Sequence, residues 1–169
     1  MSSSKPTGSG ASSGRCSGRR FVKSDQDLYN ELAFYTLAHR DPAFIHQNIV
    51  DAFAAQHADE ASKPIYIVFA LVGLYLHVEK SFTGKQVQLA HMELAKRRKQ
   101  WVRPEFPEER GAVRIADVLA VAPGPARDMM IRRWCESAWD AWKDSRQQIA
   151  DLVNSELKAA RTKQFHRTD

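Results

Sequence analysis

The chain has 169 residues, 43% hydrophobic and 27% charged, a balance that suits one compact domain with a single core. Its longest strongly apolar run, Ile65 to Leu76, falls well short of the roughly 20 residues a bilayer crossing needs, which excludes a transmembrane helix. The net charge of +5 points toward nucleic acid only weakly. Lys5, Arg15, Arg19 and Arg20 sit in the N-terminal lead and Lys158, Arg161, Lys163 and Arg167 in the tail, so the middle is close to neutral.

Residues 1–22 are rich in Ser and Gly and poor in large apolar groups, the composition of a disordered lead. They contain no apolar signal region, so the expectation is a cytoplasmic protein. Cys16 and Cys135 are isolated thiols, which fit neither a disulfide framework nor a zinc knuckle.

Ser24 and Asp27 form a capping box and open a first helix, Asp25 to about His39, with Leu28, Leu32 and Tyr35 on one face. Asp41-Pro42 restarts the chain as N-cap and first helical residue. The second helix is predicted from Pro42 to about His57, with the stripe Ile45, Ile49 and Phe53. The third, Pro64 to Lys80, is apolar nearly all round, as a central helix is. Thr83 and Gln86 make a second capping box before a fourth helix, Gly84 to about Gln100, whose inward face is Val87, Ala90, His91 and Leu94. Arg103 to Arg110 is a loop, Ala112 to Ala120 a short helix or turn, and Pro123-Gly124-Pro125 a break. A long C-terminal helix follows from Ala126 to about Ala160, striped by Ile131, Trp134, Ala138, Trp142, Ile149 and Val153. No segment alternates with period two. The expected fold is all-α: a single-domain antiparallel helical bundle of about five main helices over residues 23–158, with a disordered lead (1–22) and a basic tail (159–169).

The histidines carry the chemistry. His46 and His57 share a helix face but stand about 16 Å apart along the axis, so they cannot ligate one metal. An antiparallel meander of helices two to four places His77 within one turn of His46, and His91 roughly one turn from His77. Three imidazoles at one level suit zinc or another divalent transition metal. Asp51, His57, Glu79 and Glu93 are the candidate supporting groups. The simpler reading is that each imidazole is a bonded core or boundary residue. Asp51 is expected to pair with a Lys or Arg on a neighbouring helix or to face water. Gln56 carries no signal alone. His39 and His57 fit helix-end contacts, and His166 lies in the tail.

Lys96 to Lys99, with Trp101 and Arg103, mix cations and an aromatic as single-stranded nucleic-acid grooves do. A solvated helix end is the simpler reading, and nucleic acid is not expected as a partner. Trp134 and Trp142 follow the core spacing, whereas Trp139 is off it and is expected at an interface. The chain has no Gly-rich phosphate loop, no nucleophile elbow and no Cys–His pair.

The spacing of His46, Asp51, Ala52, Gln56 and His57 is a specific motif. Leu74-Tyr75-Leu76-His77 and the stretch Trp134 to Trp142 extend it. Over Leu28 to Trp142 the chain resembles an uncharacterised bacterial family, domain of unknown function 5946. That resemblance implies a helical fold without an assigned activity, so no catalytic residue carries over. The leading expectation is a binding or interaction module with a histidine-lined interior. The alternative is a metal-dependent enzyme, of hydrolase or transferase type, using His46, His77 and His91. A weaker alternative is a nucleic-acid-associated protein. Whether the protein is an enzyme, and whether it forms a homo-oligomer, stay open at this level.

Overall fold

The computed structural model describes residues 23–97 and 100–165. The predicted disordered lead, Arg98 and Lys99 of the basic cluster, and the last four residues of the tail lie outside the described residues. Every regular element among the described residues is helical: α1 (Asp25–Ala38), α2 (His46–His57), α3 (Pro64–Val78), α4 (Gly84–Ala95), α5 (Ile115–Ala120), α6 (Pro125–Ala141) and α7 (Arg146–Phe165). The protein is all-α.

Both capping boxes form. The Ser24 hydroxyl accepts from Asp27 N and the Asp27 carboxylate accepts from Ser24 N, and Thr83 and Gln86 do the same for α4. The entry to α2 differs from expectation. Asp41 caps backbone N–H groups at Ala43 and Ile45, which holds residues 41–45 in a turn. Phe44 takes a left-handed φ of 55°, so the helix begins four residues after Pro42, at His46. The long last helix is also broken. Backbone N–H groups of Trp142 and Ser145 bond three residues back, to Trp139 and Trp142, and Lys143–Ser145 form a 3₁₀ turn between α6 and α7.

α3 touches α2, α4, α6 and α7 and is buried along most of its length, as its composition dictates. α1 and α2 are antiparallel: Thr36 meets His46 and Asp25 meets His57. α2 and α3 are antiparallel with Asn48 opposite His77 and Asp51 opposite Gly73. α6 crosses α2, where Trp134, Cys135 and Trp142 meet Gln56, Asn48 and Ala55. Trp139 is 1% exposed and donates to Glu79 Oε1 at 2.9 Å, so it belongs to the core and not to the interface its spacing suggested.

One polar contact ties α1 to the start of α6. The buried Tyr35 hydroxyl donates to Asp128 Oδ1 at 2.8 Å and accepts from Gly124 N at 2.9 Å. Arg127 lies 4.9 Å over the same ring. Tyr35→Phe leaves the Gly124 N–H without its acceptor, and is expected to lower unfolding stability by about 1–2 kcal/mol in a denaturant titration.

Candidate functional site

The three predicted ligand histidines stand in three environments. His46 Nδ1 is 2.9 Å from Thr36 Oγ1 on α1, and burial holds its ring below the ordinary imidazole range. His77 Nδ1 is 3.0 Å from the Phe82 carbonyl oxygen, and its Nε2 is 3.4 Å from Asn48 Nδ2. His91 packs beside Phe69, with ring centroids 5.2 Å apart, and its Nε2 is buried without a partner. Burial pushes His91 down to about 4, and a hydrogen bond to the Phe69 backbone only partly offsets that. Among the described residues no group of three or more His, Cys, Asp or Glu side chains is disposed to hold a metal ion. The predicted convergence of the imidazoles therefore does not form. Axial level brings His46 and His77 within a turn, but His46 turns to α1 while the Asn48 amide fills the space beside His77.

The supporting residues are also committed elsewhere. His57 stacks on Phe53 and bridges the Phe53 carbonyl and Asp25. Glu79 accepts from Trp139, and Glu93 pairs with Lys96. The basic cluster is similarly engaged. Arg97 meets Glu156, Arg103 donates to the Asp59 and Ser62 carbonyls, and Trp101 packs edge-on against Phe69.

Asp51 departs furthest from expectation. It is 4% exposed, and among the described residues it pairs with no lysine or arginine. Gln47 donates to its Oδ1 at 3.1 Å, while Oδ2 is buried with no partner. It presses on α3 at Gly73, where an added Cβ would fall 2.0 Å from Oδ2. Asn48, 5% exposed, has its Oδ1 unpartnered as well. Cys135, fully buried, donates from Sγ to the Asn48 carbonyl at 3.6 Å, and burial raises its thiol far above the ordinary range, with Asp51 a smaller contributor. Gln56 is the second residue that spacing alone did not single out. It accepts from Trp134 Nε1 at 2.7 Å and donates to the carbonyls of Arg110 and Val113, both at 2.8 Å.

A family model described as a family of unknown function, DUF5946, matches residues 15–143. The chain belongs to that family. No curated protein and no solved structure matches it. The DUF5946 match spans α1 to α6, so the buried cluster around Asp51 and the Gln56 clamp both lie inside the family segment.

The concave surface of this DUF5946 chain lies elsewhere. A cleft of about 480 Å³ is framed by residues 105–109 on one side and 140–145 on the other. A shallower depression of about 510 Å³ shares Glu109, Asp140 and Ala141 with it and runs on to Gly111, Val113 and Ser137. Gly111 makes the close approach there: its φ is 95°, and a Cβ would lie 2.7 Å from the Ser137 carbonyl oxygen. The first cleft carries Glu105, Glu108, Glu109, Asp140 and Asp144 against a single cation, Lys143. Asp140 pairs with Arg146, while the other four carboxylates form no ion pair among the described residues. Arg103 and Arg110 lie over the Phe106 ring at 5.8 and 4.9 Å, stacked on the aromatic face and not bonded to the carboxylates.

Proposed function

We propose that the protein is a binding module whose ligand is a lysine- or arginine-bearing peptide segment, held in the groove between residues 105–113 and the end of α6. The observation that carries this is the charge of the groove. Five carboxylates and one lysine line a single cleft, on a chain whose overall charge is +5. The cleft volume falls within the range of ligand-binding clefts. Field lines from grouped carboxylates attract a cationic segment and screen steeply with salt. Asp51 and Gln56 of the motif face the interior, while His46 is half-buried and His57 exposed. Gln56 holds the Arg110–Val113 stretch that forms one groove wall, so motif and groove are mechanically joined.

The test is calorimetric titration with an oligolysine peptide at low and high salt. Binding that weakens with salt, and is lost in the double variant Glu108→Lys, Glu109→Lys but kept in the control Glu31→Lys on α1, which lines neither depression, supports the groove. Absence of binding at low salt, or equal loss in the control, overturns it.

A further inference from the structure

The buried polar cluster between α2 and α3 has a hydrogen-bond direction that can be worked out atom by atom. The Phe82 carbonyl is an acceptor only, so His77 Nδ1, 3.0 Å away, must carry a hydrogen. In the neutral ring Nε2 is then an acceptor, and Asn48 Nδ2 donates to it. That direction turns Asn48 Oδ1 away from His77 and leaves it an acceptor without a donor. Asp51 lies three residues on, the same helix face one turn later, with Oδ2 also buried and unpartnered. Two adjacent turns of one buried face thus present two acceptors and lack one donor. An ionised carboxylate there would add a charge with one hydrogen bond and no counter-ion, a strongly unfavourable arrangement.

We infer that Asp51 is carried in the folded protein as a neutral carboxylic acid, and that its proton supplies the donor missing beside Asn48. Among the described residues no lysine or arginine pairs with the carboxyl. Tyr29 on α1 and Cys135 on α6 face the carboxyl, and burial keeps both neutral. Glu136, next to Cys135, pairs with Arg132 one turn back on its own helix, and on α3 His77 reaches the cluster through Asn48. Lys85, where α4 meets α2, has an exposed side chain. Burial pushes the Asp51 carboxyl well above the usual carboxylate range, opposed only by the Gln47 hydrogen bond. The consequence is a pH-sensitive rung between α2 and α3. When the proton leaves, the Asn48 amide must rotate to donate to the carboxylate, and its Oδ1 then faces His77 Nε2. That atom must in turn carry a hydrogen, which a neutral ring supplies only by giving up the Phe82 bond at the entry to α4.

The sign of the effect is fixed by linkage. A carboxyl whose pKa is raised on folding gives its full stabilisation below the unfolded value of about 3.9, and loses it as pH rises through the folded value. Asp51→Asn replaces the acid with a neutral group of the same shape that still donates. Thermal unfolding from about pH 5 to 9 should show the advantage of the variant over wild type growing with pH. Partly buried His46 and His91 add the same rising slope to both proteins below about pH 6.5, so the difference between the two profiles isolates Asp51. The side-chain ¹³C resonance of Asp51 in the unmodified full-length chain, assigned through its own backbone, should stay at the carboxylic-acid position at neutral pH. A carboxylate resonance titrating with the exposed aspartates overturns the inference, whether or not the variant folds. An Asp51→Asn profile parallel to wild type overturns it equally.

Discussion

Gly73→Ala is expected to be among the most destabilising single-methyl additions in this chain, lowering unfolding stability by about 3 kcal/mol. The sign is not obvious from propensity, because alanine in a helix interior is favoured over glycine by about 1 kcal/mol. Packing decides it. The new Cβ would lie 2.0 Å from Asp51 Oδ2 and 2.5 Å from its Cγ. Neither partner can yield cheaply: Asp51 is buried on the adjoining helix, and Gly73 sits in the middle of α3, which is packed on four sides. Relief requires α2 and α3 to separate or the carboxyl to leave its place, and both expose core. A denaturant titration of the variant measures the loss. The mechanism is checked by repeating the substitution in an Asp51→Ser background, where the obstructing carboxyl is gone. The loss should shrink to a fraction there, giving a coupling of more than about 1 kcal/mol between the two positions. Equal losses in both backgrounds would place the strain elsewhere.

Much of this architecture was legible in the residues. Helix starts at Ser24 and Thr83 were readable because a capping box is a local device, closed by residues three apart. The central place of α3 followed from its being apolar on every side. The break between α6 and α7 was not legible, and the reason is geometric. Trp142, Ser145, Ile149 and Val153 are all buried at spacings of three and four, so the apolar stripe passes through the 3₁₀ turn without losing phase. Periodicity reports which face is inward, not whether the helix is continuous.

The candidate site was legible by position and not by role. The motif from His46 to His57 does mark the most polar stretch of the interior, yet the chemistry assigned to it was displaced. Axial level along paired helices says nothing of rotation, so His46 and His77 turned to different neighbours, while His91 lies beside Phe69, about 12 Å back along α3 from His77. Asp51 was expected to find a cation or to face water because charged groups usually do. The contrary signal was on the partner helix: Gly73, the lone glycine of an otherwise apolar α3, leaves the space the carboxyl fills. The groove carboxylates went unnoticed because Glu105 to Glu109 and Asp140 to Asp144 are separated by α5 and nearly the whole of α6, and only the fold sets them face to face.

Gln56→Ala is the second large effect, with an expected loss of about 3 kcal/mol. One side chain satisfies three groups, the fully buried Trp134 Nε1 and two part-buried carbonyls. Its Oε1 is the acceptor for Trp134 Nε1, a residue with 0% exposure, and its Nε2 serves the Arg110 and Val113 carbonyls together. Truncation strands all three and leaves a cavity beside the indole. Gln56→Glu separates the two halves of the role. The carboxylate still accepts from Trp134, but it sets a negative charge against two carbonyl oxygens, so it should destabilise at least as much as alanine. Trp134→Phe removes only the donor, leaving the amide's two carbonyl bonds in place, and combining it with Gln56→Ala should be less than additive. The clamp also reaches the groove. Val113 holds Ser137 Oγ through its backbone N–H, and Gly111 lies against the same residue, so freeing the Arg110–Val113 stretch loosens one wall of the carboxylate cleft. Gln56→Ala protein, studied at a temperature where it is still folded, should therefore bind oligolysine more weakly although position 56 never touches the ligand. Undiminished binding alongside the stability loss would separate the clamp from the groove and leave Gln56 a purely internal strut.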